Sequence, residues 1–199
     1  MPSYDYEQQY IDKGYKFVCG VDEAGRGPLS GPVVAGACIL PVGLYLDGLN
    51  DSKKLSAKKR DVLFDLIKEN AISYGIGMAS PAEIDELNIL NATMLAMRRA
   101  IEQLNVAADF ALVDGNVIRG FSIPAVSIVK GDSISCSIAA ASILAKVTRD
   151  RICEEDAVKY PQYNFSKHKG YSTKEHMDLV RLHGPCEIHR KSFLKFLDK

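Results

Sequence analysis

The feature that most constrains the fold is a pair of apolar runs joined by a glycine-rich link. Residues 17–23 (FVCGVDE) are apolar and end in two acids, and residues 32–40 (PVVAGACIL) form a second apolar run. The glycines and proline at 25–28 force the chain to turn between the two runs. Two strand-like runs on either side of such a link predict a β-hairpin. We therefore expect a sheet at the centre of the fold.

Strand-like and helix-like segments alternate along the rest of the chain. Further strands are predicted at 71–79, 109–113 and 125–129, and helices at 57–70 (after a Ser56 cap), 81–88, 91–105, 133–159 and 173–183. Pro161 ends the longest helix, and residues 162–171 read as a polar, aromatic and basic loop. This order is typical of an α/β layer architecture. We expect a core over residues 1–160 and a C-terminal helical extension over 161–199, packed together as a single unit.

Composition and charge exclude several classes of protein. The chain has 199 residues, of which 47% are hydrophobic, and its 25 basic and 25 acidic residues balance. That hydrophobicity excludes a disordered chain, and no apolar run approaches the ~20 residues of a membrane helix. The polar residues 1–16 do not resemble a secretory signal, so we expect a cytoplasmic protein. An odd number of cysteines without C-x-x-C spacing predicts reduced thiols.

Four acids stand at or just beyond the ends of apolar runs: Asp22, Glu23, Asp114 and Asp132. The ends of neighbouring strands can meet at one edge of a sheet, and a set of carboxylate oxygens suits Mg²⁺ or Mn²⁺. Two such ions ~4 Å apart can activate a water and stabilise a leaving oxygen in phosphodiester cleavage. Because adjacent strand residues point to opposite faces, Asp22 and Glu23 are expected to share a site only if the strand bends.

Each acid also has a simpler interpretation. Asp114-Gly115 is a common turn dipeptide, Asp132 suits the N-cap of the following helix, and Asp22 and Glu23 could be solvated. A metal-free acid/base pair would use two of the four and leave two unexplained. Four carboxylates packed together without a cation would raise one another's pKa values, which favours a metal site.

Basic and aromatic residues indicate contacts with nucleic acid. Segments 51–60 and 166–199 each carry a net charge of +4, from five basic residues against one acid and from eight against four. Such patches suit phosphates, although a solvated charged face is the simpler alternative. Lys146 and Arg149 share a helix face that could approach a nucleic-acid backbone or be merely exposed. Tyr171 follows Lys169 in a loop whose aromatic and basic mixture can stack on a base or sugar.

Five blocks of sequence together resemble one known family. They are GVDEAGRGPLSGPVVAGA (20–37), DSKKLS (51–56), VDGN (113–116), KGDSISCSIAAASILAKVTRD (130–150) and HKGYSTKEH (168–176). The combination is similar to bacterial ribonuclease HII, of the type 2 ribonuclease H family. The resemblance implies a ribonuclease H-like fold, with a five-stranded mixed sheet flanked by helices and a C-terminal helical extension.

The resemblance also implies an activity and a set of site residues. Members of the family cleave the RNA strand of RNA–DNA hybrids and nick duplex DNA 5′ of a single embedded ribonucleotide, leaving 3′-hydroxyl and 5′-phosphate ends by two-metal-ion hydrolysis. Carried over, the metal-binding and catalytic acids are Asp22, Glu23, Asp114 and Asp132. The substrate-binding residues are the turn Gly25, Arg26 and Gly27 at the ribose 2′-hydroxyl, Ser52 and Lys53 near the phosphates, and Tyr171 against a sugar.

The expected partners follow from this activity. We expect Mn²⁺ or Mg²⁺ as cofactor, an RNA–DNA hybrid or ribonucleotide-containing duplex as substrate, a role in ribonucleotide excision repair, no membrane and a monomer. Lys146, Arg149 and Lys169 are further candidate substrate contacts. The segment SFLKFL (192–197) could bind a sliding clamp or form the last packed helix. Two alternatives stay open: a hybrid-binding protein without catalysis, and another nuclease of the same superfold, such as a junction resolvase.

Overall fold

The computed structural model describes residues 1–198 and shows one mixed sheet of five strands. The strands are β1 (Val18–Ala24), β2 (Val33–Ile39), β3 (Ser73–Ala79), β4 (Phe110–Asp114) and β5 (Ala125–Ile128). The helices are α1 (Asp5–Ile11), α2 (Ala57–Asn70), α3 (Pro81–Leu87), α4 (Ile89–Glu102), α5 (Cys136–Lys159), α6 (Phe165–His168) and α7 (Lys174–His183). The spatial order is β3-β2-β1-β4-β5. The predicted five-stranded mixed sheet with flanking helices is therefore confirmed.

The register of β1 determines what lies at the edge of the sheet. β1 pairs with β2 as the predicted antiparallel hairpin, and this pairing continues to Ala24. The parallel pairing of β1 with β4 ends earlier, at Val21 opposite Val113. The last three residues of β1 thus extend beyond its pairing with β4. Asp22 and Glu23 belong to this overhang, where the chain of β4 has just ended.

Helices cover both faces of the sheet. α5 packs on one face against β1 and β2 with α2 beside it, and α4 packs on the other face against β2 and β3. The approach of α5 is so close that a Cβ at Gly20 would lie 2.1 Å from the carbonyl carbon of Ser137. Because side chains alternate along a strand, Asp22 leaves the same face as Gly20 and points toward α5.

The C-terminal part differs from its prediction in two places. The expected loop at 162–171 contains a 3-10 turn (Pro161–Tyr163) and α6, and the expected last helix at 192–197 is a pair of 3-10 turns. Asn164 and Lys169 adopt left-handed backbone conformations at the two ends of α6, which limit it to one turn. An apolar cluster gathers this part against the loop that follows β1, through Leu29, Tyr163, Phe165, Val180 and Leu194.

None of the helices within residues 1–198 combines the length and the apolar character that a membrane crossing would need.

Candidate active site

The four acids lie around the overhanging end of β1, and we refer to Asp22, Glu23, Asp114 and Asp132 as the acidic rim. Asp22 is 4% exposed, and its Oδ1 accepts a hydrogen bond of 2.7 Å from the amide of Glu23. The expected bend between these two residues is not needed, because the pairing with β2 is unbroken there. Both acids lie close to Asp114 because the pairing of β1 with β4 ends at Val21, just before them.

The connection after β5 brings the last acid to the rim. Asp114 ends β4, and its Oδ1 accepts a hydrogen bond of 2.7 Å from the amide of Gly131. Asp132 follows in a 3-10 turn, where it is 5% exposed. The interpretation of Asp132 as a helix N-cap is wrong, since α5 is capped by Ser135, which accepts from the amide of Ile138 at 3.2 Å.

The electrostatics of the rim show negative charge that the protein only partly neutralises. Burial, followed by repulsion from Glu23 and Asp114, raises the pKa of Asp22 well above its ordinary value. Burial and repulsion from Asp114 likewise raise the pKa of Asp132. The pKa of Glu23 is also raised by burial, although Arg26 counteracts part of the rise. Asp114 repels all three of the other rim acids and so stands at the electrostatic centre of the rim.

Lys53 is the cation that faces most of these acids. Its Nζ lies 3.8 Å from Oδ2 of Asp132. Burial lowers the pKa of Lys53, but attraction to Asp22, Asp132, Asp51 and Asp114 outweighs that effect and raises it overall. Together with Arg26, which lies 3.4 Å from Glu23, Lys53 sets two cations against four carboxylates, which leaves room for further positive charge.

The rim fits a divalent cation whose coordination shell is completed by oxygens of the substrate. Among residues 1–198, no three histidine, cysteine or acidic side chains form a ready cage for a metal ion. Mg²⁺ in phosphate-processing sites is usually held by one or two carboxylates, with substrate phosphate oxygens and waters completing the shell. The donors at the rim are oxygens only, which suits Mg²⁺ and Mn²⁺ and disfavours zinc or copper.

A cleft of about 230 Å³ opens beside the rim. It gathers nearly all of the predicted substrate contacts. The residues that line it are Glu23, Ala24, Gly25, Arg26, Gly27, Ser52, Lys53, Ser142, Lys146, Arg149 and Tyr171. Lys169 is the exception among the predicted contacts, because it lines a neighbouring groove, where its ammonium pairs with Glu154.

The glycine turn forms one wall of this cleft. Gly25 has φ +96°, and a Cβ at this position would lie 2.2 Å from Nε of Arg149, so the turn needs glycine here. Within residues 1–198, the backbone amides of Arg26 and Gly27 donate to no protein group. The ring of Tyr171 is 45% exposed, and its edge comes within 3.7 Å of a Cβ built at Gly27. The cleft therefore combines unpaired backbone donors with an accessible aromatic ring.

The polar residues on the opposite wall are held in defined positions. Ser52 is buried, and its hydroxyl shares a hydrogen bond of 2.8 Å with the hydroxyl of Ser142 on α5. The Lys146 ammonium lies 2.6 Å from Asp150, one turn along the same helix. Lys53 is the most exposed cation of this wall, with 79% of its side chain accessible.

Two arginines lie beneath the turn, and the sequence does not indicate their burial. Arg149 is 1% exposed and donates to the carbonyl of Lys169 at 3.1 Å, so its position favours a supporting role over the direct contact predicted for it. Arg190 is 0% exposed and donates to the carbonyl of Gly25 at 2.6 Å. Sequence analysis did not identify Arg190, because nothing in the basic C-terminal segment distinguishes it from solvated neighbours.

Comparison with known proteins gives consistent matches over almost the whole chain. A family model described as Ribonuclease HII matches residues 19–196. The chain is 55% identical over 190 residues to the Ribonuclease HII of Ruminiclostridium cellulolyticum, covering 96% of this chain and 74% of the relative. It is 53% identical over 192 residues to that of Caldicellulosiruptor saccharolyticus, covering 96% and 94%. The crystal structure of the ribonuclease H2 from Pyrococcus horikoshii OT3 superimposes with a TM-score of 0.74 at 27% identity, covering 92% of this chain and 97% of that one.

Proposed function

The chain belongs to the ribonuclease HII family, and on that premise we propose that it is a metal-dependent endoribonuclease acting on ribonucleotides paired with DNA. It cleaves the RNA strand of RNA–DNA hybrids and nicks duplex DNA 5′ of a single embedded ribonucleotide, leaving 3′-hydroxyl and 5′-phosphate ends. One observation carries the proposal. The acidic rim lies beside a cleft whose lining includes Arg26 and Gly27, which have backbone amides unpaired within residues 1–198, and the accessible ring of Tyr171.

The acids supply the chemical centre. Asp22, Glu23, Asp114 and Asp132 would hold Mn²⁺ or Mg²⁺ through their carboxylate oxygens. When bound, a pair of such cations activates the attacking water and stabilises the leaving oxygen of the phosphodiester. Asp114 repels the other three acids of the rim, and a cation bound beside Asp114 would relieve that repulsion. Lys53, beside Asp132, attracts the scissile strand to this edge of the sheet.

The glycine turn and Tyr171 supply the selectivity. Only ribose carries a 2′-hydroxyl, and a contact with that group distinguishes a ribonucleotide from its deoxy counterpart. The amides of Arg26 and Gly27 are donors without a protein partner, so they suit this hydroxyl. Tyr171 would stack on the neighbouring sugar, where a deoxyribose lets the ring approach closely. Neither contact reads a base edge, so the selectivity would be independent of base sequence.

The remaining cleft residues would hold the phosphates. Lys53, Lys146 and Ser52 line the same cleft, and the Ser52 hydroxyl is held by the hydroxyl of Ser142. Ammonium groups in these positions bind a sugar–phosphate backbone without regard to sequence, and such binding weakens steeply as salt increases. Lys169 can join them only by leaving its pair with Glu154.

Two further expectations stay predictions. We propose that the chain acts as a monomer, since its cleft is complete within one copy. The structure gives less support to the tail SFLKFL (192–197) as a clamp-binding motif, because part of it is packed against the protein. Phe193 and Phe196 both pack against the C-terminal apolar cluster, although Leu197 is 38% exposed.

A labelled duplex tests the proposal directly. The full chain is incubated with duplex DNA that contains one ribonucleotide, in Mn²⁺ or Mg²⁺, and again with excess chelator. We expect a single nick 5′ of the ribonucleotide that chelator abolishes, and no nick in the all-deoxy duplex. Tight binding without any nick would indicate a hybrid-binding protein instead. Preferred cutting of a four-way DNA junction would indicate another nuclease of the same superfold.

A further inference from the structure

Two buried guanidinium groups lie side by side beneath the glycine turn, and we refer to Arg149 and Arg190 as the arginine floor. They are 1% and 0% exposed. Within the part of the chain that the structure describes, neither forms a salt bridge with an acid. Burial, together with repulsion from Arg149, lowers the pKa of Arg190 to about 9. Buried charges without a counter-charge are costly, so their stability alone does not explain this arrangement.

Arg190 directs its donors at the backbone of the turn and of the segment after it. Its guanidinium donates to the carbonyls of Gly25 at 2.6 Å, Arg26 at 3.0 Å and Gly31 at 2.9 Å. Gly25 rests on the side chain of Arg149, which approaches it closely enough to exclude a Cβ. The turn therefore lies on the floor and is hydrogen-bonded to it at two successive carbonyls.

These bonds determine where the amides of the turn point. The C=O and N–H groups of one trans peptide unit point in opposite directions, and all described peptide bonds are trans. Because the carbonyls of Gly25 and Arg26 are drawn down to Arg190, the amides of the next residues, Arg26 and Gly27, are turned up toward the cleft. These are the two amides that have no protein partner.

We infer that Arg190 is a positioning residue that aims the Arg26 and Gly27 amides at the ribose 2′-hydroxyl, an inference that rests on the proposed function. Arg190 belongs to the C-terminal part of the chain, far in sequence from the turn it supports. The same part is joined to the segment after the turn by backbone bonds from Gly31 to Ile188 and from Arg190 to Leu29, at 2.9 and 2.8 Å. The C-terminal extension thus contributes to ribose selectivity without touching the substrate.

The test has to distinguish a change in the orientation of the two amides from a general loss of stability. Val180 provides a matched control, because it is fully buried in the C-terminal apolar cluster and its apolar side chain cannot hydrogen-bond to the carbonyls of the turn. Truncation in Val180→Ala loosens the same part of the molecule and leaves the guanidinium in place. Arg190→Met removes both hydrogen bonds to the turn and the third bond to Gly31, while keeping most of the side-chain volume. Arg190→Lys keeps the charge and part of the hydrogen bonding. It replaces Arg190→Met in the measurement if the methionine variant does not fold.

The measurement is a ratio of affinities. Each substitution is made in the full chain carrying Asp114→Asn, so that the substrate survives in Mg²⁺, and Kd is measured for a duplex with one ribonucleotide and for the identical all-deoxy duplex. We expect Arg190→Met to lower the preference for the ribonucleotide by about tenfold, the effect of one misaligned hydrogen bond. Arg190→Lys should lower it by less. Val180→Ala should lower the melting temperature and leave the preference unchanged.

Two outcomes would overturn the inference at different levels. If Arg190→Met or Arg190→Lys weakens binding of both duplexes equally, so that the ratio matches that of Val180→Ala, Arg190 serves stability only. If the parent chain with Asp114→Asn shows no preference for the ribonucleotide, recognition of the 2′-hydroxyl by this protein is itself refuted, and the proposed function fails with it.

Discussion

The acidic rim and the arginine floor are two clusters of like charge, the first partly and the second almost completely buried, and the protein treats them differently. The floor receives most of its partners from the protein, because Arg190 donates to three backbone carbonyls and Arg149 to those of Lys169 and Ser30, although the Nε of Arg149 is buried without a partner among the described residues. The rim receives few donors, chiefly the amides of Glu23 and Gly131. The charge of the floor is thus held mainly by protein groups, and we propose that the charge of the rim serves to bind exchangeable cations.

The largest expected effect concerns chemistry at the rim. Asp114→Asn should lower the nicking rate by about 10²- to 10³-fold, the scale on which loss of one electrostatic stabiliser acts. The amide oxygen of asparagine can still accept from the amide of Gly131, so the fold should persist. Single-turnover nicking measures the effect, and Asp61→Asn, which neutralises an exposed acid of α2, should leave the rate unchanged. Full activity in Asp114→Asn would remove the rim from the mechanism.

The free energy of unfolding should fall most when an arginine of the floor is replaced. Arg149→Met should lower the free energy of unfolding by about 2 to 4 kcal/mol, because it leaves the carbonyls of Lys169 and Ser30 buried and unpaired. Arg151→Met, which removes an exposed arginine paired with Asp61, should cost less than about 1 kcal/mol. Denaturant unfolding compares the two. Equal losses would mean that the floor does not support the turn.

Acid should weaken the side of the molecule that contains the floor. Burial and repulsion from His176 lower the pKa of His189 to about 4. Its Nδ1 accepts from the amide of Cys186, so the neutral ring carries its proton on Nε2, which lies 3.1 Å from Nε2 of His176. A depressed histidine pKa contributes stability that is complete above about 6.5 and is lost as the pH falls toward 4.

Unfolding measured at pH 7 and pH 5 tests this. We expect His189 to account for about 1 to 2 kcal/mol of the loss on acidification. His189→Gln should reduce that loss, whereas the same change at the exposed His183 should not. An unchanged pH dependence in His189→Gln would contradict the assignment of the buried neutral ring.

Divalent cations should stabilise the rim in a way that depends on its acids. At ten times its Kd, Mn²⁺ should add about 1.4 kcal/mol to the free energy of unfolding, which corresponds to about 3 to 6 °C in melting temperature. The shift should be much smaller in Asp114→Asn. Thermal melts over a range of Mn²⁺ concentrations measure it, and an equal shift in both proteins would place the ions elsewhere.

The smallest expected effect is an increase in stability. Without divalent cations, Asp22→Asn should raise the melting temperature by about 2 to 4 °C, equivalent to about 1 kcal/mol in a chain of this size. A raised carboxyl pKa means that stability is lost as the pH rises above the ordinary value near 3.9. The gain from Asp22→Asn should therefore grow from pH 4 to pH 7. A loss of stability at pH 7 would contradict the repulsion inferred at the rim.

The sheet and the position of the acids could be predicted because local patterns decide them. The apolar runs on either side of the glycine turn predict the hairpin, and Ser56 caps α2 as expected, accepting from the amide of Lys59. The apolar runs that end at Val21 and Val113 pair in parallel up to these two residues, so the acids that follow them meet at one edge.

Other features depend on contacts that no local pattern reveals. Arginine is usually exposed, so the burial of Arg149 and Arg190 becomes apparent only when the C-terminal part closes over the turn. Glu7 is a second example. It belongs to the polar segment 1–16, yet it is 1% exposed and accepts from the hydroxyl of Ser135 and the amide of Ser137 at the start of α5. These contacts join segments far apart in sequence.

The most direct test is a crystal structure with Mn²⁺ and a duplex containing one ribonucleotide, with the ions located by anomalous scattering. We expect Mn²⁺ bound by carboxylates of the acidic rim and by the phosphate on the 5′ side of the ribonucleotide. We also expect the 2′-hydroxyl within hydrogen-bond distance of the Arg26 or Gly27 amide. Anomalous peaks away from the rim, or a 2′-hydroxyl turned away from the glycine turn, would contradict these expectations.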